Sequence, residues 1–335
     1  ALKFATEDGT MSAHQPATLL NVPLFHVTAE VPVFLQSIAI GRKLVLMPKW
    51  DAREAMRLIE AERGTYFVGV PLMSFEIMTH PDRQSFDLSS CTAYAAGGAP
   101  RPEEHVKRLK AEMTGAFPLL GYGLTETNAI GCGNLNENYL EKPNSTGRAS
   151  PPLVDLAILD DAGALVPQGQ RGEVCIRSVA NFSGYWNNQT ATDACMTADR
   201  YFRTGDIGYL DPDHYLFIVD RKKDIIIRGG ENISCQEVEA ALYEHADVAE
   251  ACVFGLPDER LGEIVGAVVH YRDGAQVSDE AIKFFLVERL AGFKVPAQIW
   301  MSTEPLPRLG TEKIDKVGLR AKYRALHEVE ARAAA

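Results

Sequence analysis

Five short segments concentrate the side chains able to do chemistry: Gly97-Gly98-Ala99-Pro100, Tyr122-Gly123-Leu124-Thr125-Glu126, Tyr201-Phe202-Arg203-Thr204-Gly205-Asp206, Asp220-Arg221-Lys222-Lys223-Asp224 leading into Gly229-Gly230, and Pro307-Arg308-Leu309-Gly310-Thr311-Glu312-Lys313-Ile314-Asp315-Lys316. Glycines let the backbone approach a flat base closely, and an aromatic ring such as Tyr122 can stack on the other face. A carboxylate such as Glu126 is the oxygen ligand a hard cation prefers. Asp206 is suited to accept two hydrogen bonds from vicinal hydroxyls. A lysine ammonium such as Lys313 can hold two anions together. Taken singly, each residue also has an ordinary structural role. Gly97–Pro100 reads as a strand-ending turn, Asp206 as turn chemistry and Thr125 as a helix cap. Arg221 reads as a strand-end arginine, Ile218 as core, the run 221–224 as an exposed charged face, Gly229-Gly230 as a hairpin turn, and Lys313 as a solvated loop lysine.

The elements that must carry these segments follow from the pattern of apolar residues. From Asn21 to Tyr122, short β-rich runs alternate with helical ones: Leu44–Met47, Ala52–Arg63, Tyr66–Val70 and Glu103–Met113. That alternation predicts βαβ units around a mainly parallel sheet. From Gly147 to Val219 the texture changes to short strands between turn-rich pieces such as Asp160-Asp161-Ala162-Gly163 and Asp211-Pro212-Asp213, which predicts a small β subdomain. After Arg221 the chain returns to α+β units. Ser234 and Glu237 predict a capping box, and Ser278, followed by Asp279 and Glu280, predicts a second cap on a helix with Ile282, Phe285, Leu286 and Leu290 on one face.

Composition bounds the rest. A chain of 335 residues that is 46% hydrophobic has enough apolar content for two or more domains. Its net charge of −11 argues against a general nucleic-acid surface. The six cysteines form neither a C-x-x-C pair nor a metal-type cluster, so reduced thiols in a cytoplasm are expected. Apolar runs fall well short of the roughly 20 residues a bilayer requires, and no signal-peptide pattern opens the chain, so neither membrane insertion nor secretion is expected.

Each of the five segments is weak evidence alone, but together and in this order they resemble the core motifs of the adenylate-forming enzyme superfamily, and of its acyl-CoA synthetases in particular. The resemblance covers essentially the whole chain. It implies an α/β fold: the second half of a large mixed α/β N-terminal domain with a small β subdomain, then a mobile α+β C-terminal domain. The expected boundaries are 1–220 for the first part, with α/β structure to about 146 and the β subdomain about 147–220, and 221–335 for the second.

The resemblance also implies roles. Gly97, Gly98, Ala99 and Pro100 form one wall of an adenine slot, with Tyr122 and Gly123 opposite and Ile218 as an apolar shelf. Thr125 meets the α-phosphate region, and Glu126 holds the magnesium that bridges the ATP phosphates. Asp206 takes the ribose hydroxyls, and Arg221 is a second ribose or phosphate contact. Lys223 is the domain hinge, Gly229 and Gly230 line the pantetheine tunnel, and Lys313 is the catalytic lysine that joins carboxylate and phosphate oxygens. The implied substrates are ATP, coenzyme A and a carboxylic acid. One departure stands out: Glu312 occupies the position where the family usually has glycine, where its carboxylate is expected either to pair with Lys313 or to stiffen the loop.

His26, in Pro23-Leu24-Phe25-His26-Val27, sits where amino-acid-activating relatives carry an aspartate, so a fatty or aryl acid is expected instead. A packed core histidine is the ordinary alternative. Val27 and Ile130 suit an acyl or aryl tail, and Glu30 and Asn128 add polarity if they lie close. The family's Ser/Thr/Gly-rich phosphate loop should precede His26, and nothing in Ala1–Asn21 matches it. The sequence is therefore expected to be the C-terminal portion of a longer protein, with weakened ATP binding on its own. Alternative readings are a relative that loads a carrier-protein thiol or passes the acyl group to oxygen, and an inactive nucleotide-binding fragment. A homo-oligomer is left open.

Overall fold

A computed structural model describes residues 14–99, 101–113, 115–150, 152–272, 275 and 277–334. The chain divides into two compact units, Ala1–Thr204 with Gly208–Ile218, and Gly205–Ile207 with Val219–Ala335.

The first unit is built on a seven-stranded sheet. Its strands are β1 (Ala17–Leu20), β2 (Lys43–Leu46), β3 (Tyr66–Gly69), β4 (Ala93–Gly97), β5 (Phe117–Tyr122), β6 (Cys132–Leu135) and β7 (Arg148–Ala149), in spatial order β2-β1-β3-β4-β5-β6-β7. Strands β1 to β5 pair in parallel, and β6 and β7 add in antiparallel fashion. Parallel strands need crossovers: helical turns within 27–40 join β1 to β2, and helices α1 (Ala52–Glu62), α2 (Pro71–Thr79) and α3 (Glu103–Glu112) join β2 to β3, β3 to β4 and β4 to β5. Asp51 starts α1 by accepting the Glu54 N–H at 2.8 Å, and Pro71 opens α2 where no backbone donor is lost. Leu19, Phe67 and Tyr94 from the strands bury against Met56 and Ile59 of α1 and Met73 and Ile77 of α2. These side chains, fully removed from water, are the main stabilising term of the unit.

The β subdomain follows as strands β8 (Val154–Leu159), β9 (Gly172–Ser178), β10 (Phe202–Leu210) and β11 (Leu216–Arg221), ordered β11-β10-β9-β8. The second unit is centred on a five-stranded sheet: β12 (Ile226–Arg228), β13 (Glu231–Ile233), β14 (Val248–Asp258), β15 (Gly262–Tyr271) and β16 (Gln298–Ser302). Around it lie α4 (Cys235–Tyr243), α5 (Asp279–Val287) and the terminal α6 (Lys316–Ala334). Ile282, Phe285, Leu286 and Leu290 join one apolar cluster with Val238 and Leu242 of α4, as their helical spacing requires.

Only half of the expected capping box forms. Ser234 accepts the Glu237 N–H at 3.1 Å, but the Glu237 carboxylate pairs with Lys294 instead of reaching back. A full charge is a stronger partner than one backbone N–H. No disulfide joins any of the six cysteines, five of which are buried. Among the described residues no helix is long and apolar enough to cross a membrane.

Candidate active site

In the first unit the expected nucleotide residues cluster at the ends of β4 and β5. Gly97 lies in register with Gly121, one residue before Tyr122. Tyr122 and Ile218 pack against the same apolar group, which contains Cys132, Val174 and Leu216. An aromatic face and an aliphatic side chain, distant in sequence, are thus brought to one place. Pro100, the last residue of the expected adenine wall, lies outside the described residues.

After β5 the chain turns through Gly123 and a single 3₁₀ turn, Thr125–Thr127, and folds back on itself. A Cβ at Gly123 would sit 2.5 Å from the backbone carbon and oxygen of Ala129, so only glycine fits this return. The capping role open to Thr125 is taken by Thr127, whose hydroxyl accepts the Leu124 N–H at 3.0 Å. Thr125 is left exposed, its hydroxyl without a partner among the described residues.

Glu126 is half-buried and held on both sides. Its carbonyl accepts the Phe182 N–H at 2.7 Å, and its Oε1 accepts the Tyr185 hydroxyl at 2.8 Å. Burial and the Glu126 carboxylate together push the Tyr185 phenol up to about 12, so it remains a donor. The second Glu126 oxygen carries no bond among the described residues. One oriented carboxylate fits a magnesium ion, which commonly takes one or two protein carboxylates and fills its remaining positions with substrate phosphates and water. Among the described residues there is no cluster of three acidic, His or Cys groups that would make a self-sufficient metal site.

The residues expected to line an acyl pocket are less uniform. His26 begins a short helix, its Nδ1 accepting the Thr28 N–H at 3.2 Å, and Val27 is buried. Glu30 is exposed at the start of a wide π-helical turn, Glu30–Leu35. Asn128 donates its amide to the Ala180 carbonyl at 2.7 Å, which commits that group to the main chain, and Ile130 is half-buried.

In the second unit Asp206 is buried and Arg221 approaches it, Nε to Oδ1 3.3 Å. Lys223 lies exposed in the turn after β11, where Asp224 N donates to Arg221 O at 2.9 Å. Gly229 and Gly230 form the two-residue turn joining β12 to β13, with φ of +58° and +91°. Positive φ at both positions matches the hairpin turn that glycine pairs favour.

Lys313 follows a tight turn in which Leu309 N donates to Lys313 O at 2.8 Å and Glu312 N donates to Leu309 O at 2.9 Å. Burial, and then the positive charge of Arg221, lower its pKa below the usual lysine value. Its ammonium has no ion-pair partner among the described residues. Glu312 does not pair with it, contrary to one of the two expectations; instead Glu312 adopts φ +63°, a left-handed conformation that glycine would occupy without cost.

Two features escaped the sequence reading. Tyr185 reaches Glu126 from 59 positions away, with no local signal to point to it. Lys316, quoted above only as part of the terminal segment, donates to both oxygens of the buried Glu239 on α4 at 2.7 Å.

Comparison with known proteins places the chain among relatives. The family model for AMP-binding enzymes matches residues 2–186, and that for the AMP-binding enzyme C-terminal domain matches residues 237–313. A long-chain-fatty-acid–CoA ligase of Bacillus subtilis is 38% identical over 88% of this chain and 52% of its own length. A feruloyl-CoA synthase of an Amycolatopsis species is 36% identical over 93% of this chain and 62% of its own. The chain spans about half to three fifths of the length of the curated relatives it matches. Among solved structures, ATP-bound MatB from Rhodopseudomonas palustris superposes with a TM-score of 0.84 at 27% identity, over 93% of this chain and 61% of that one.

Proposed function

This chain belongs to the AMP-binding enzyme family, and we propose that its protein is an ATP-dependent acid–CoA ligase acting on a fatty or aryl carboxylic acid. In the first step the substrate carboxylate attacks the α-phosphorus of ATP, pyrophosphate leaves, and an acyl-AMP forms. In the second the coenzyme A thiol attacks the acyl carbonyl, the thiol proton is lost, and AMP leaves.

The observation that carries this reading is Lys313: a half-buried ammonium with no ion-pair partner among the described residues, presented from a tight turn in the unit that also holds Arg221 and Asp206. An uncompensated cation of this kind suits a reaction in which two anions must meet. Lys313 stabilises the carboxylate and α-phosphate oxygens as the new bond forms. Asp206 accepts the ribose hydroxyls, Arg221 contacts ribose or phosphate, and Tyr122, Ile218 and Gly97–Ala99 receive the adenine. Thr125 offers its free hydroxyl to the α-phosphate. Glu126, oriented by Tyr185, would hold a magnesium ion, whose charge would offset that of the pyrophosphate leaving group. Lys223 is the point of rotation between the two steps, and the Gly229-Gly230 turn leaves room for pantetheine. Buried Val27 and half-buried Ile130 favour an apolar acyl or aryl tail beside His26. The curated relatives, named for long-chain fatty acids and for ferulate, support the acid–CoA class.

The test is acid-dependent ATP–pyrophosphate exchange followed by coenzyme A-dependent AMP release over a panel of fatty and aryl acids, using the full-length protein. Exchange with a subset of acids and AMP release on adding coenzyme A are expected. No exchange with any acid removes the ligase reading, and exchange without coenzyme A-dependent release moves the acyl acceptor elsewhere.

A further inference from the structure

The turn that carries Lys313 is too small to hold its own shape. Between Arg308 and Ile314 it consists of one isolated antiparallel bridge and the two turn bonds already described. Such a pair of extended segments is marginal in water without a tertiary anchor. It also contains Glu312 at φ +63°, which opposes the turn instead of favouring it.

The anchor is Glu250, buried on β14 beside a register shift between Val248 and Glu250. Bulges of this kind re-aim a side chain. One Glu250 oxygen accepts the Leu306 N–H at 2.6 Å, at the entrance to the segment, and the other pairs with the Arg308 guanidinium. The second arm of that guanidinium, Nη1, donates to the Glu312 carbonyl at 2.7 Å. Arg308 therefore spans from the sheet to the residue immediately before Lys313. On the far side Asp315 N donates to Pro307 O at 2.8 Å, and Lys316 is held by Glu239.

Resting on the assignment of Lys313 above, we infer that Arg308 is a positioning residue for Lys313, which it sets against β14 by bridging the Glu250 carboxylate and the Glu312 carbonyl. A guanidinium can do this because its donors are fixed in one planar fork; a lysine has a single mobile head and cannot hold both acceptors in that geometry. An arginine serving only the stability of the unit would have no need of its second bond, to the main chain next to the reacting group. That bond couples Arg308 to the position of the ammonium, and a displacement of about 1 Å in such a group can cost about a hundredfold in rate.

The experiment compares Arg308→Lys, Lys313→Ala and the double variant in the full-length protein, with the half-reactions separated: pyrophosphate exchange for adenylation, and coenzyme A consumption from preformed acyl-AMP for thioester formation. Arg308→Lys is expected to lower the adenylation kcat by about tenfold to a hundredfold, to leave KM for ATP within about threefold, and to leave thioester formation within about twofold. In the double variant its effect should vanish against the Lys313→Ala background, because both changes act through one group. Equal losses in both half-reactions, losses that multiply in the double variant, or unchanged adenylation overturn the inference. If Arg308→Lys does not fold, Glu250→Gln weakens the same anchor and is read by the same criteria. Should Lys313→Ala itself adenylate normally, both the lysine assignment and this inference fall. Should Lys313→Ala be inactive while Arg308→Lys is normal, only the inference falls.

Discussion

The Lys316 ammonium lies 2.7 Å from each oxygen of the Glu239 carboxylate, a two-point ion pair that joins the start of α6 to the buried face of α4. Burial by itself would lower the Lys316 pKa, but the Glu239 carboxylate outweighs it and raises the lysine above its usual range. Glu239 also accepts the Val253 N–H at 2.9 Å, so it ties helix, strand and terminal segment together.

Removing one partner strands the other. Lys316→Met leaves the buried Glu239 without its counter-charge and is expected to destabilise the second unit by about 2–3 kcal/mol, below the usual range for a fully buried pair because Lys316 is itself partly exposed. The double change Lys316→Met with Glu239→Gln is expected to restore part of that loss. Urea unfolding of the parent and the two variants measures both quantities, and a Lys316→Met variant as stable as the parent contradicts the pairing.

Lys313→Ala should abolish acyl-AMP formation, a loss of at least about a hundredfold, while thioester formation from preformed acyl-AMP continues. Pyrophosphate exchange and single-turnover thioester assays separate the two steps.

The pH profile carries a further sign. On the proposed assignment the protonated form of Lys313 is the active one; its pKa is lowered by burial and by Arg221, so the proton leaves at a lower pH than from a free lysine at 10.5. Adenylation is therefore expected to be lost as pH rises through that lowered value, with an alkaline limb below 10.5. Arg221→Gln removes the like charge and should move the limb upward, whatever it does to the rate. A limb at or above the free-lysine value in the parent protein contradicts the assignment.

Glu312 is an L-residue in a left-handed conformation at φ +63°, which costs about 1 kcal/mol. Glu312→Gly keeps the carbonyl that Arg308 contacts and relieves that strain, while it adds freedom to the unfolded chain. A net gain of up to about 1 kcal/mol is expected, with the adenylation rate within a few-fold. Glu312→Val, β-branched at the same φ, should cost about 1–2 kcal/mol. Thermal unfolding of the two variants gives the comparison.

Gly123→Ala places a methyl group 2.5 Å from the Ala129 main chain, where no flexible side chain can yield. Displacement of the Thr125–Glu126 loop and a loss of about 2–3 kcal/mol follow from overpacking. A substitution tolerated without a fall in thermal midpoint rules out the tight return of this loop.

The sequence by itself determined what depends on near neighbours. The alternation of β-rich and helical runs to Tyr122 reads directly as parallel strands and crossovers, because side-chain periodicity records which face each element buries. The caps at Ser234 and Ser278, and the glycine turn at 229–230, are equally local: a side chain or a missing Cβ acts on backbone a few positions away. The order of the candidate motifs was legible for the same reason. Only the tertiary structure decided which charges meet. Glu126 with Tyr185, Glu250 with Arg308, Glu239 with Lys316 and Glu237 with Lys294 are separated by 59, 58, 77 and 57 positions. No spacing rule selects these partners, since a carboxylate accepts any donor that packing brings within reach. Even the local choice between Thr125 and Thr127 as cap was settled by how the loop folds back at Ala129, a matter of space around Gly123 that residue types alone do not encode.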